Sequence, residues 1–236
     1  MTRIWVAQKP ECGQLYELDA KASSHLHVLR KKIGAKIELF DGNHGEYNTS
    51  ITEISKKKVT VKVQSFNPED RTISLDQTLL IADCSAQKMA WIVQKATELG
   101  VRSIQPITTR YSQSTGNKLT VDKLERFKAI IIQAAQQCGL NKLPNIQPSI
   151  ALTDILPTLN PSHCYVGSPT GQIAANMNYQ TDQIVWLVGP EGGWHSDELN
   201  IFKELNIQTI KVAPTILRME TAACALLTMG NIWSKD

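Results

Sequence analysis

The feature that most constrains this chain is a change of rhythm near residue 70. Before it, apolar and polar residues alternate over short runs: RIWV, LYELD, AKIELFDG, YNTSITEIS and KKVTVKVQSF. Alternation with period two, as in VTVKV, marks half-buried strands. DGNHG reads as the turn between two of them. One short helix interrupts the pattern at SSHLHVLRKKIG, with Ser23 or Ser24 as cap and Gly34 as stop. Many short strands with a single short helix predict a small β-barrel.

The polar stretch NPEDRTISLDQ breaks this pattern and places a domain boundary near residues 67–76, giving domains over 1–70 and 75–236. Beyond it the chain alternates strand and helix. TLLIADC reads as a buried strand. QKMAWIVQKATELG is an amphipathic helix with Met89, Ile92, Val93, Ala96 and Leu99 on one face and Gly100 as its cap. SIQPIT is a strand, VDKLERFKAIIIQAAQQCG a long helix, and CYVGS, IVWLVG and TIKVA are three more strands. A helix from about Met219 to Ser234 closes the chain. Strands separated by helices predict a mostly parallel sheet.

Composition removes several function classes. The five cysteines, Cys12, Cys84, Cys138, Cys164 and Cys224, are scattered and form no C-x-x-C pair, and the five histidines form no metal-binding pattern. Neither a disulfide framework nor a metal site is expected. No apolar run approaches the roughly 18 residues that span a bilayer, and MTRIWVAQKPECG has no secretory pattern, so a cytoplasmic protein without a membrane partner is expected. Net charge is +3, and all of it sits before Asp76, where 12 Lys and Arg face 9 Asp and Glu. Lys56, Lys57 and Lys58 suit a solvated hairpin turn. Arg30, Lys31, Lys32 and Lys36, close to His25 and His27, suit a surface that contacts phosphates.

Ligands of open parallel sheets bind beyond the carboxyl ends of the strands. Three such ends stand out: Gly167-Ser168, the run LVGPEGG, and the segment from Ala213 to Arg218. Glycine admits a ligand close to the backbone, and Pro190 and Pro214 stiffen two of the loops. The run LVGPEGGWHSDEL is not a phosphate loop. It lacks the lysine and hydroxyl of a Walker motif and the G-x-G-x-x-G fingerprint. Asp197 and Glu198 in the first turn of the following helix, and Glu191 within the loop, would repel a phosphate. The turn therefore suits a neutral or cationic ligand, for which S-adenosylmethionine has the right chemistry, or else is a tight turn with no ligand. A second constellation, APTILRMETAACALL, puts Arg218 and Glu220 at the start of the last helix, with Thr215 or Thr221 as its cap. Read plainly, it is a buried helix with one salt-bridged arginine; read functionally, it shares a sheet edge with GPEGG.

Taken together, GPEGG before a helix, then ILRMETA at 216–222, with HVLR, LFDG, KATELGV and QCG-x-x-x-x-P in order before them, resemble the RsmE family. Its members are 16S ribosomal RNA (uracil-N3)-methyltransferases of the SPOUT class. The resemblance covers nearly the whole chain. It implies an α/β protein with an N-terminal PUA-like β-barrel that binds RNA and a SPOUT methyltransferase domain with a C-terminal trefoil knot. It implies S-adenosyl-L-methionine as cofactor, a homodimer, and as substrate a decoding-region uridine of 16S rRNA within the 30S subunit.

Carried onto this chain, the resemblance assigns the cofactor to Gly167; to Leu187, Val188, Gly189, Pro190, Glu191, Gly192 and Gly193; and to Val212, Ala213, Ile216, Leu217, Arg218, Met219 and Thr221. Arg218 is the first candidate to steady negative charge on the base, and Glu220 is the candidate to orient Arg218 or accept the proton. Arg3, Arg30, Lys31, Lys32, Lys36, Arg110 and Lys142 are the candidate RNA contacts. Four positions depart from the family pattern. Gln136 and Leu140 stand where a glutamate and an arginine are usual, with Lys142 as a substitute charge, and Ala213 and Thr215 replace a glycine and an arginine. These departures are expected to bear on RNA contacts and catalytic strength. The competing expectations are a catalytically idle SPOUT-fold RNA-binding protein and a SPOUT methyltransferase for another RNA.

Overall fold

The structure is a computed structural model and describes residues 2–43, 45–112, 118–173 and 181–234. His44 of the expected DGNHG turn lies outside the described residues. The chain divides into two compact units, Met1–Thr72 with Ala135–Leu143, and Ile73–Ala134 with Pro144–Asp236.

The first unit contains β1 (Thr2–Trp5), β2 (Leu15–Glu17), α1 (Ala20–Val28), β3 (Lys36–Phe40), β4 (Glu46–Ile54) and β5 (Val59–Asn67). The strands pair in the order β1-β3-β4-β5-β2. β1 and β3 are parallel and the other pairs antiparallel. The alternation read in β5 is real: Val59, Val61 and Val63 are buried while Lys62 and Gln64 face water. With Ile4, Ile37, Leu39, Tyr47 and Ile51, and Leu26 from α1, they form one core. Each such side chain contributes ~1.5–3 kcal/mol by leaving water.

Both ends of α1 differ from expectation. The cap is Asp19, whose carboxylate accepts from Ala22 N at 2.7 Å. Ser23 lies inside the helix, where its hydroxyl donates to Leu18 O and accepts from Val59 N. The helix stops before Gly34, because Arg30 takes the left-handed conformation at φ 51°. Arg30 N donates to His27 O and Lys31 N to Leu26 O, which closes the helix end.

The second unit contains β6 (Asp76–Ala82), α2 (Ala86–Glu98), β7 (Ser103–Thr108), most of α3 (Val121–Cys138), β8 (Asn145–Ile146), β9 (Ile150–Ala151), α4 (Leu152–Ile155), β10 (Cys164–Ile173), β11 (Gln183–Val188), α5 (Ser196–Glu204), β12 (Gln208–Lys211) and α6 (Met219–Trp233). The sheet order is β12-β10-β11-β6-β7-β8, with β9 also on β7, and every recorded pair is parallel. β6 and β11 are buried on both faces, as a covered parallel sheet requires. α2 ends as the sequence indicates: Gly100, at φ 77°, donates to Thr97 O, and Val101 N donates to Ala96 O.

α6 is tied to the sheet by a buried polar relay. Trp186 Nε1 donates to Gln77 Oε1 at 2.7 Å, Gln77 Nε2 donates to Asn231 Oδ1 at 2.6 Å, and Asn231 Nδ2 donates to Leu99 O at 3.1 Å. Gln77 and Trp186 are both fully buried, so these bonds have no water to replace them. This relay fixes the helix whose first residues form part of the site described next.

Candidate active site

β10 lies between β12 and β11, and the three run parallel, so their carboxyl ends emerge side by side. The loops beyond them, with the start of α6, enclose a cavity of about 650 Å³. Residues 167–170, 188–191, 193–194, 210–213 and 215–219 line it, with Leu199, Ala222 and Leu226. Of the residues assigned to the cofactor from sequence, Gly167, Val188, Gly189, Pro190, Glu191, Gly193, Val212, Ala213, Ile216, Leu217, Arg218 and Met219 line the cavity. Leu187, Gly192 and Thr221 are absent from the lining; Leu187 is fully buried in the core.

The glycines have physical reasons to be there. A Cβ at Gly189 would stand 2.8 Å from the Trp194 ring, and one at Gly167 would stand 3.1 Å from Leu226. Gly193 has φ 76° and closes the turn by donating to Pro190 O at 2.9 Å. Trp194 packs edge-on against Phe202, with ring centroids 5.0 Å apart, so the turn is anchored to α5. The helix after it carries a full capping box. His195 Nδ1 accepts from Asp197 N, and Glu198 Oε2 accepts from His195 N. The carboxylates read as anion-repelling therefore also serve the helix start.

α6 starts differently from expectation. Neither Thr215 nor Thr221 caps it; Arg218 occupies the cap position and no side chain accepts from the first turn. Arg218 is exposed and reaches the cavity. Glu220 does not line the cavity. Its nearest cation is Lys88, at 3.8 Å, and no ion pair among the described residues joins it to Arg218. Glu220 Oε2 is buried without a hydrogen-bond partner. Lys88, in the first turn of α2, also pairs with Glu191 of the glycine turn. One half-buried lysine thus stands between the carboxylates of two site loops. Nothing in the sequence pointed to it, because Lys88 and Glu191 are 103 residues apart. Trp194 was also missed, although its place beside GPEGG was a usable signal.

Cysteine chemistry has little support here. Burial pushes the Cys84 thiol up to about 12 and the Cys164 thiol up to about 11, so both stay protonated. Among the described residues no group of three or more His, Cys, Asp or Glu is placed to hold a metal ion, and no helix is long and apolar enough to cross a membrane.

The expected RNA contacts separate into two sets. Arg30, Lys32, Lys36 and Arg110 are exposed, and Lys31 is half-buried. Arg3 stands apart from these. Its guanidinium is turned inward to Glu38 and Glu46, donates to Leu140 O and lies 5.0 Å from the Phe40 ring, which leaves it little free face for a phosphate. Burial pushes the Glu38 carboxyl up, against the attraction of Arg3. Lys142 is engaged with Asp70 at 2.5 Å. The departures at 136 and 140 also have internal roles. Gln136 Oε1 accepts from Trp5 N at 2.9 Å, and Leu140 packs with Phe40, Ala135 and Leu143. Asn141 donates to Glu69 O and accepts from Arg71 N, so the segment from Ala135 to Leu143 is held by the first unit through several bonds at once. Ala213 and Thr215, the other two departures, line the cavity.

Comparison with known proteins gives this geometry a family. Residues 71–231 match the RNA methyltransferase domain, and residues 18–64 match the RNA methyltransferase PUA domain. Ribosomal RNA small subunit methyltransferase E of Mesomycoplasma hyopneumoniae is 30% identical over 97% of this chain and 98% of its own length. The enzyme of that name from Rickettsia conorii is 28% identical over 92% of this chain and 90% of its own. The crystal structure of ribosomal RNA small subunit methyltransferase E from Neisseria gonorrhoeae, bound to S-adenosyl methionine, superposes with a TM-score of 0.89 at 28% identity, covering 99% of this chain and 98% of that one. With its two domains matched and its length spanned, the chain belongs to the ribosomal RNA small subunit methyltransferase E family of RNA methyltransferases.

Proposed function

We propose that this chain is an S-adenosylmethionine-dependent methyltransferase of small-subunit ribosomal RNA, acting on N3 of a decoding-region uridine in 16S rRNA within the 30S subunit. The observation that carries the reading is the cavity at three neighbouring strand ends, built on glycines and backbone and bordered by Glu191. Its volume is within the range of small-molecule sites. The lining is mostly apolar side chains and backbone groups, with one carboxylate, Glu191, and two cations, Lys211 and Arg218; with the phosphate-binding motifs absent, this supports an adenine with a zwitterionic tail and no phosphate. The Neisseria relative, solved with that cofactor, supports the same assignment.

The cofactor supplies an electrophilic methyl group on a sulfonium. The chain's own residues must hold the base in line, expose its N3 edge and remove the N3 proton. Much of the rate comes from placing the two reactants. Arg218, exposed at the cavity, is the group to stabilise the charge that develops on the uridine O2 or O4. Glu220 holds the start of α6 through Lys88, a positioning role. The exposed cations Arg30, Lys32 and Lys36, with the half-buried Lys31, supply salt-dependent affinity for the RNA backbone. The same reading makes the first unit a PUA-like barrel over about 1–70 and the second a SPOUT domain over about 75–236. It takes the region around the cavity as a trefoil knot, the active protein as a homodimer and its location as the cytoplasm.

The test is single-turnover transfer from labelled S-adenosylmethionine to 30S subunits lacking the modification, with nuclease mapping of the product. Label at N3 of one decoding-region uridine, and a loss of about tenfold or more in the transfer step of Arg218→Ala at saturating cofactor, are the expected results. Full activity in Arg218→Ala removes that residue from the chemistry. Cofactor binding without any transfer moves the assignment to another RNA or to a binding role.

A further inference from the structure

Beside the cavity, the end of β7 and the glycine turn together build a second feature. Tyr111, 49% exposed, lies against Gly192: a Cβ built on that glycine would stand 3.4 Å from Tyr111 Cβ and 3.7 Å from its ring. The neighbours of Gly192 in the chain, Glu191 and Gly193, line the cavity. The Tyr111 ring meets His195 edge-on, with centroids 5.3 Å apart and planes at 68°. His195 is itself fixed, because its Nδ1 accepts from Asp197 N at 3.2 Å.

One buried carboxylate fixes both sides of this pair. Glu198 Oε1 accepts from Arg110 N and Oε2 from His195 N, each at 2.8 Å. The loop that carries Arg110 and Tyr111 is thus stapled to the turn that carries His195. A recess of about 190 Å³ opens alongside, with Thr108, Arg110, His195 and Ile201 in its wall. The Arg110 side chain is exposed at its edge. An exposed aromatic ring held by a buried staple, next to a cation and to the cavity that holds the methyl donor, has the composition of a stacking site for single-stranded nucleic acid. The Asp197 carboxylate, 77% exposed near His195, disfavours a phosphate there and leaves the ring to a base.

We infer that Tyr111, backed by His195, is the stacking face for an unstacked pyrimidine base of the RNA substrate, with Arg110 engaging the adjacent backbone. The inference rests on the RNA-methyltransferase reading above and extends it to the base subsite. A target base drawn out of its stack loses its neighbours' π contact. The Tyr111 ring restores one face of that contact beside the cofactor cavity.

The experiment compares the unaltered protein with Tyr111→Ala, Tyr111→Phe and His195→Ser in single-turnover methylation at increasing 30S concentration. Cofactor affinity is measured by calorimetry and mass in solution by sedimentation. Loss of one base–aromatic stack predicts a fall of about 5- to 160-fold in transfer efficiency for Tyr111→Ala. Cofactor affinity and mass are expected to be unchanged. Tyr111→Phe, which keeps the ring face, rescues most of that loss. His195→Ser, which keeps a capping oxygen and removes the supporting ring, falls between. An undiminished Tyr111→Ala overturns the subsite, as does a Tyr111→Phe as impaired as the alanine. A cofactor affinity that falls in parallel makes the tyrosine a prop for the turn, and an altered mass makes it a contact between copies. If the unaltered protein transfers no methyl group to RNA, the functional reading fails and the subsite with it.

Discussion

Gly230→Ala is predicted to be one of the most damaging single-methyl changes in the chain. A Cβ at 230 would lie 2.0 Å from Gln77 Oε1 and 2.5 Å from Gln77 Cδ. The amide must move by more than an ångström to clear it. That movement breaks Trp186 Nε1 to Gln77 Oε1 and Gln77 Nε2 to Asn231 Oδ1. Stranding buried polar groups costs about 1–3 kcal/mol each, and overpacking adds about 1–3 kcal/mol. The gain from replacing a helical glycine with alanine is only ~1 kcal/mol. The net expectation is a loss of about 4 kcal/mol, or on the order of 10 °C in Tm for a chain of this size. Urea unfolding followed by tryptophan fluorescence reads it, since Trp186 reports on the broken bond. Gln77→Ala breaks the same two bonds without the clash. The double variant should therefore lose less than the two single losses added together, because the new methyl enters the space the amide leaves. A loss below about 1 kcal/mol in Gly230→Ala, or strict additivity in the double variant, refutes the relay as described.

Arg3→Ala should destabilise by about 3–5 kcal/mol, because it leaves Glu38 buried without its cation and Glu46 with Arg71 alone, while the salt dependence of RNA affinity stays unchanged. A shallower salt slope in that variant would return Arg3 to the RNA face. Burial raises the Asp70 carboxyl, but hydrogen bonds from Lys142 and Thr72 outweigh it and hold the group at about 2. Its folded value is thus depressed, so its contribution to stability is present above its ordinary value near ~4 and is lost as pH falls through about 2. In Lys142→Ala an NMR titration should find the Asp70 midpoint shifted upward; an unmoved midpoint would show that Lys142 contributes nothing. Lys88→Met should weaken cofactor binding about tenfold by freeing Glu191 and stranding Glu220, with Lys88→Arg recovering part of it. Equal affinity in calorimetry for Lys88→Met and the unaltered chain would refute the tie.

What the sequence determined by itself lies in periodicity and in glycine. Val59, Val61 and Val63 alternate because a sheet face is buried on one side, and that pattern is written in adjacent letters. Gly100 and the GPEGG turn announce a helix end and a strand-to-helix loop for reasons local to the backbone. The strand ends at Gly167, Val188 and Ala213 were therefore legible as one edge before any coordinates. What only the tertiary structure decided are partnerships across long separations. Arg3 looked like a surface cation until Glu38 and Glu46 enclosed it. Gln136 and Leu140 read only as departures from a family pattern until the fold joined them to Trp5 and Phe40. Lys88 carried no signal until the fold put it between Glu191 and Glu220. The helix cap fell to Asp19, since the Ser23 hydroxyl was already engaged with Val59 of β5. Local order follows from dihedral preference and hydrophobic period, which neighbours in sequence fix. The partner of a charge is fixed by which distant side chain shares its burial, and only the folded chain makes that choice.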